Sequence, residues 1–555
     1  GRDPWKNADV TAFGYMYELA LGGADWFAPS LVGQPPEFDA LLPYWLGAWA
    51  IRLAPSWIPA DFAARLPFAA LLVLTLLACW YGTYYLARTP RAQPVPFAFG
   101  GEARPVDYAR AIADGGMLAL IACLGLAQLS HETTPALAQL AFTGLAFYGA
   151  AALPFRAVPA AVAIVAGIAG LALSGAPSTA VALGVGAALV TVADTVPDRR
   201  AARWAWAVLL LATALGAAAL ASALDLWRGR VAAPWERDWE STVRLLLWFT
   251  WPAGPLAAWT VWRWRRYLVA RHVALPLWFA LVAIVATLST HSSDRSLLLG
   301  LPAFAALAAF ALPTMRRSVS AIIDWFTLLF FSGCALVIWV VWISLQTGVP
   351  AKPAANVARL APGFEPSFSL VAFGAALAGT VAWGWLVKWR AGRHRAALWK
   401  SFVLPAAGAA LCWLLMMSLW LPVLDYARSY TAVVHGVKQS MNPPGCAEVF
   451  GLTRGQVAAL RYHGGLELRY AMRDPQCPWL IVSSDYQPAV DMALDMKQWR
   501  LAATVRRPTD EHDNVLLYRL RSSGGSCPSC ERSRGTPAPC WWASWPPWRS
   551  AWPTR

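Results

Sequence analysis

Residues 3–45 read DPWKNADVTAFGYMYELALGGADWFAPSLVGQPPEFDALLPYW. The stretch is polar, aromatic and acidic. It holds no window of about 20 apolar residues, so it does not cross a bilayer. From Ala63 to Leu424 the chain is the opposite, a succession of apolar runs. A long polar loop ahead of a block of spans is where a membrane protein would keep chemistry on the water side. The carboxylates of this loop include Asp3, Asp9, Asp25, Glu37 and Asp39. Asp9 is the first candidate among them. Phe13, Tyr17 and Ala20 share one helical face at i, i+4 and i+7, which puts Asp9 near a helix N-terminus. There the helix dipole favours the ionised carboxylate. Such a group can accept or orient the proton of an attacking hydroxyl, or simply cap the helix.

Composition agrees with a polytopic membrane protein. Of 555 residues 58% are hydrophobic and 14% charged, and mean hydropathy is +0.44. Soluble domains carry about 25% charged residues. The 33 Trp and 41 Pro fit interfacial aromatic belts and broken helices. The net charge of +15 sits in short loops between spans, so it reports topology and gives no support to nucleic acid as a partner. Cys79, Cys123, Cys334 and Cys412 fall inside apolar runs and read as packing residues. The chain starts with Gly1 and shows no signal peptide, and a first span ahead of it is expected.

Taken in order, residues 41–58 are apolar but interrupted by Pro43, Arg52 and Pro55, and read as an interfacial helix. Roughly twelve spans follow by length and hydropathy: 63–87, 115–130, 136–152, 157–173, 178–196, 204–226, 243–262, 273–290, 295–314, 319–346, 369–387 and 402–424. If the side of residues 3–45 is outer and the sides alternate, the dense Arg/Lys clusters at 197–203, 263–271, 315–318 and 388–400 all fall inside, with 88–113 and 153–156. The outer side then holds the first loop, His131-Glu132, residues 227–242, residues 291–295 and the C-terminal part.

Residues 428–521 are soluble in character. PWLIVSSD and the pair WRLAATVRR and NVLLYRL, split by the turn-rich PTDEHD, read as strands. TRGQVAALRYHG reads as a short helix or a strand-helix transition. The result is a small α/β domain in which Cys446 and Cys477 either pair or stay separate thiols. Residues 522–555 are rich in Trp, Pro, Arg, Ser and Cys without aliphatic periodicity. Cys527, Cys530 and Cys540 offer three thiols where a closed zinc site wants four ligands, so the segment reads as a disordered or aberrant tail and not as a metal site.

The polar outer turns supply the remaining candidates. His131 and Glu132 are adjacent in SHETTP; the reading of Glu132 as a second acid competes with that of an ordinary interfacial turn. His291, Asp294 and Arg295 stand in STHSSDRSLLLGLP, where a guanidinium suits a lipid phosphate. Arg228, Arg230 and Arg237 alternate with Trp227, Trp235 and Trp239, a combination that holds membrane phospholipids or anchors the protein. No Gly-rich phosphate loop, zinc pattern or nucleophile elbow lies in the spans.

GADWFAPSLVG, PYWLGAW, LSTHSSDRSLLLGLPAFAALA and RGQVAALRYHGGLELRYA together resemble glycosyltransferase family 39, which holds the protein mannosyltransferases and the lipid A aminoarabinose transferase. The resemblance implies a GT-C fold. It also implies transfer of a sugar from a polyprenyl-phosphate donor to a lipid or protein acceptor on the periplasmic face of a bacterial inner membrane. Asp9 falls on the first acid of the family's loop. Val10 stands where a second acid is usual, and Asp39 stands where the lysine of the family's K-P-P run would be. The family's second aspartate falls in the region of HETTP, where Glu132 is the nearby acid. A T-K-G turn of the family appears here as Ser174-Gly175-Ala176, without its lysine.

The reading is therefore mainly α: a first loop with interfacial helix over 1–62, a membrane domain over 63–427, a periplasmic α/β domain over 428–521 and a tail over 522–555. By the resemblance Asp9 and Glu132 are the catalytic acids, Arg295 and Lys6 hold the donor phosphate, and Asp39, His131 and His291 are accessory. The residues name no cofactor; a divalent metal ion, held by Glu132, stays open. Two other classes compete. One is a relative that kept the scaffold for lipid binding or complex assembly and lost the cations. The other is a transporter, for which Asp324, near the inner end of its span, is the one clear mid-span acid.

Overall fold

The computed structural model describes residues 2–521, apart from residue 38 and the segments 94–103, 195–199, 228–238, 291–292 and 392–397. His291, Arg228, Arg230, Trp235 and Arg237 of the aromatic loop, and the 522–555 tail with its three cysteines, lie outside the described residues.

The first loop opens with α1 (Ala8–Leu21), ended by Gly22 in the left-handed conformation at φ 78°. A loop leads to α2 (Leu42–Leu53), which stops ahead of Pro55. The bundle follows: α3 (Ala60–Ala87), α4 (Pro105–Ala122), α5 (Leu124–Leu129), α6 (Pro135–Ala152), α7 (Ala157–Leu173), α8 (Pro177–Ala193), α9 (Arg200–Ala223), α10 (Trp239–Phe249), α11 (Ala253–Arg263), α12 (Arg271–Ser289), α13 (Ser293–Leu298), α14 (Leu301–Ala311), α15 (Arg317–Thr347), α16 (Ala351–Leu360), α17 (Leu370–Ala391) and α18 (Val403–Leu419). Among the described residues seven of these (α3, α6, α9, α12, α15, α17 and α18) are long and apolar enough to cross a membrane. The shorter α7, α8 and α14 and the interrupted pairs α4–α5 and α10–α11 account for the other expected spans. The chain is a multi-pass membrane protein.

Two differences from the expected spans have clear causes. The helix containing 115–130 starts at Pro105, because Pro at the first helical position fixes φ and sacrifices no hydrogen bond. Its first turns carry Asp107 and Arg110 to the surface. It also breaks at Cys123, where the backbone is extended. The α10–α11 break at residues 250–252 meets this one: Leu124 N–H donates to the Trp251 carbonyl at 3.2 Å. The backbone groups freed by two broken helices thus satisfy each other, as a water-free interior requires. Together they let the chain turn at residues 130–134, at the mouth of the bundle.

After α19 (Leu421–Arg428) and α20 (Thr431–Ser440) comes a mixed five-stranded sheet in the order β2-β1-β3-β5-β4. Its strands are β1 (Ala447–Phe450), β2 (Leu468–Tyr470), β3 (Trp479–Ser483), β4 (Trp499–Arg507) and β5 (Asp510–Leu520), with α21 (Arg454–Tyr462) and α22 (Gln487–Ala493) between them. β1 pairs parallel with β2 and β3; β5 runs antiparallel to β3 and β4. The hairpin turn is Pro508-Thr509 alone, shorter than the expected PTDEHD, because cross-strand pairing reaches back to Arg507 and Asp510. Cys446 and Cys477 are disulfide-bonded.

One apolar cluster runs from Val10, Phe13 and Met16 of α1 into the bundle on one side and through Val457, Ile481 and Leu517 of the sheet on the other. α1 lies between the two parts and belongs to both cores. A separate cluster joins α15, α17 and α18.

Candidate active site

Asp9 lies in the first turn of α1, whose N-cap is Asn7, so Asp9 does not cap its own helix. It is buried, with 2% of its surface exposed. Its Oδ1 accepts from Thr133 N–H at 2.7 Å and from Thr133 Oγ1 at 2.8 Å. Its Oδ2 accepts from Arg2 Nη2 at 2.7 Å and from Trp5 N–H at 3.2 Å. Burial alone would raise this carboxyl, but the Arg2 charge and the Thr133 donors outweigh it and hold Asp9 below its ordinary value.

Thr133 belongs to the turn that follows α5, and Glu132 is its neighbour. Glu132 takes both its carboxylate contacts from Arg295 Nη2, at 3.3 and 3.0 Å. Its environment pushes the other way. Burial raises the Glu132 carboxyl, Asp9 adds to that, and Arg295 offsets only part of it. Two acids, one bonded to the residue next to the other, thus have their carboxyls shifted in opposite directions, a pattern found where one group stays ionised and the other exchanges a proton.

Arg295, in α13, lines a polar cavity of about 450 Å³ together with Tyr15, Glu37, Thr134, Gln139 and Arg454. Arg454 comes from the start of α21 and pairs with Glu37 at 3.0 Å. A second, apolar cavity of about 300 Å³ lies on the other side of the turn, lined by Trp5, His131, Cys334, Cys412, Trp413 and Arg428. The 130–134 turn separates the two.

The structure brings Asp9, Glu132 and Arg295 together and leaves Lys6 and Asp39 apart from them. Lys6 Nζ bridges Asp510 at 2.6 Å and Asp513 at 2.9 Å in β5, and is not among the residues lining the polar cavity. Burial opposes its charge, but the two carboxylates raise its pKa overall. Asp39 lies along the turn between α7 and α8: Leu41 N–H donates to the Leu173 carbonyl at 2.8 Å, and the Asp39 carbonyl faces Gly175. The residue ahead of Pro35-Pro36 is Gln34, so in a K-P-P-like run it is Gln34, not Asp39, that takes the lysine's place. His131 is wedged between Trp5 and Trp413, with ring centroids at 5.2 and 4.8 Å. Burial and the Arg2 charge push it down to about 3, so it is neutral. Among the described residues no three His, Cys, Asp or Glu side chains gather to hold a metal ion.

Two residues went unread in the sequence. Arg2 stacks on Trp5 at 4.6 Å and also donates to the His131 carbonyl at 2.7 Å. Glu18, buried at the far end of α1, accepts from Arg461 Nε at 2.6 Å. A basic residue seven positions ahead of Asp9 carries no periodic signal, and Arg461 is far away in sequence.

No protein-family model matches the chain, and no curated protein matches it. Two solved structures do. The crystal structure of ArnT from Cupriavidus metallidurans bound to undecaprenyl phosphate is 15% identical, with a TM-score of 0.63 over 94% of this chain and 95% of that one. The apo structure of ArnT from the same organism is 14% identical, with a TM-score of 0.57 over 93% and 94%. At this identity the likeness is one of fold. The chain has the GT-C architecture, helical bundle and small C-terminal sheet included, that the resemblance to family 39 implied.

Proposed function

We propose that this chain is a membrane glycosyltransferase that moves a sugar from a polyprenyl-phosphate donor to a lipid or protein acceptor on the periplasmic face of the inner membrane. The observation that carries this is the chain of contacts from Asp9 through the Thr133 turn and Glu132 to Arg295, which lines a polar cavity in the mouth of the bundle. The undecaprenyl phosphate held by the ArnT structure of the same fold supports the donor class. The clustering of Arg and Lys on the opposite side of the bundle supports the periplasmic face.

The chemistry follows from charge. As the bond between the sugar and the phosphate breaks, negative charge builds on the leaving phosphate, and a guanidinium at that point lowers the barrier. Arg295 is the cation on the cavity wall beside the acids. The attacking hydroxyl sheds a proton to a carboxylate in the same step. The apolar cavity beyond His131 suits a hydrocarbon chain. Lys6 is engaged with the C-terminal hairpin and has no part in this scheme.

A second reading has its own support. Asp9 and Glu132 are both paired with arginines in this state, as in a scaffold that binds lipid without turnover. The test uses the purified chain in detergent with a labelled polyprenyl-phosphate sugar. Label should leave the polyprenyl carrier, and Asp9→Asn should slow this about 100-fold, the usual cost of misplacing a reacting group. Donor that binds with no turnover would overturn the transferase in favour of the scaffold.

A further inference from the structure

The two acids are not equivalent. Each oxygen of Asp9 already accepts two hydrogen bonds, which fills the four lone-pair directions of a carboxylate. Neither acid is among the residues lining the polar cavity, but the Asp9 side chain is only 2% exposed whereas that of Glu132 is 16% exposed. For Asp9 to take a proton, one of these donors would first have to leave. The donors come from two segments, residues 2–5 and the turn 131–133. Arg2 ties the same segments a second time through the His131 carbonyl. Glu132 sits inside the segment so clasped. The one hydrogen-bonding partner of its carboxylate among the described residues is Arg295, which lines the cavity.

We infer that Glu132 is the catalytic base that accepts the acceptor's proton, while Asp9, Arg2 and Thr133 form a positioning clasp that holds it. This rests on the transferase reading above. The acceptor oxygen bonds to the anomeric carbon of the sugar as the bond from that carbon to the phosphate oxygen breaks. The electron pair of that bond stays on the phosphate, and the hydroxyl proton passes to Glu132. The arriving donor phosphate competes with Glu132 for Arg295. Once Arg295 turns to the phosphate, Glu132 loses its compensating cation and binds a proton more readily. The charged groups facing Glu132 are Arg295 from α13, Asp9 from α1 and Arg2 from the N-terminal segment. Burial holds the carboxyl above its ordinary value even with Arg295 in place.

The test measures donor binding and initial transfer rates, from about pH 5 to about pH 9, for wild type, Glu132→Gln, Glu132→Asp and Asp9→Asn. Glu132→Gln should bind the labelled donor and lose about 100-fold or more in kcat, together with the acid limb of the pH profile. Glu132→Asp should recover part of the rate. Asp9→Asn should lower the rate but keep the acid limb. An active Glu132→Gln with the limb intact, or a limb that disappears in Asp9→Asn alone, would overturn the assignment while leaving the transferase standing. A wild type that binds donor without turnover would overturn both.

Discussion

Asp9, Glu132 and Asp425 show how the same functional group is set to different tasks by what surrounds it. Asp9 is surrounded by donors and held ionised. Glu132 is buried with one cation. Asp425 accepts from Trp5 Nε1 at 2.6 Å, yet burial pushes it up to about 6. A carboxyl raised in the folded state favours folding most when protonated. Its contribution is fully present below the unfolded value and is lost as pH rises through about 6. The thermal midpoint of wild type should therefore fall relative to Asp425→Asn between about pH 4 and about pH 7. Parallel curves for the two proteins would show that Asp425 does not titrate in this range. Little of this was legible in the sequence. Asp9 could be singled out because its position in a helical pattern is local, and Arg295 because a polar turn between apolar runs stands out. Arg2 could not, since its role depends on a turn 129 residues away. Lys6 was assigned by its charge and the resemblance, and the carboxylates that occupy it lie some 500 residues on.

At the scale of elements, α1 is the piece on which the others converge. Gly14 faces Ala458 of α21 so closely that a Cβ at Gly14 would lie 2.5 Å from the Ala458 Cβ. Phe13 and Tyr17 pack their rings against Tyr462, and Glu18 pairs with Arg461. Gly14→Ala should thus cost about 1–3 kcal/mol through overpacking and reduce transfer by shifting the clasp at the other end of the same helix. Adding Ala458→Gly should restore much of both, measured as thermal midpoint and kcat. A Gly14→Ala protein as stable and active as wild type would show that α1 and α21 are not in tight contact. The helical face of α1 was readable from Phe13, Tyr17 and Ala20, but a periodic face does not say what it packs against. β1 and β2 escaped notice because four and three residues carry too little alternation to rise above a loop. The hairpin turn was overestimated because polar residues that look turn-like continue the strand pairing.

Across the whole molecule, hydropathy was the strongest signal, since about 20 apolar residues have few other uses. It could not show the breaks at Cys123 and at residues 250–252, which depend on two distant backbones meeting. The topology it gives is checkable. Lys352 and Arg265 are both exposed, in loops assigned to opposite faces. In a protein freed of other reactive thiols, Lys352→Cys should react with an impermeant maleimide added to intact cells, and Arg265→Cys only after the membrane is opened. Labelling of both from one side would break the alternation. The continuous core from bundle through α1 to sheet makes the C-terminal part a support for the site as well as a cover.

The groups meeting at the bundle mouth are proposed to transfer a sugar. The most direct measurement follows a labelled sugar on a polyprenyl-phosphate carrier, mixed with the purified chain and membrane lipid extract as the source of acceptor. Label should leave the carrier with wild type and stay on it with Glu132→Gln although the donor is bound. Donor that binds wild type and keeps its label throughout would contradict it.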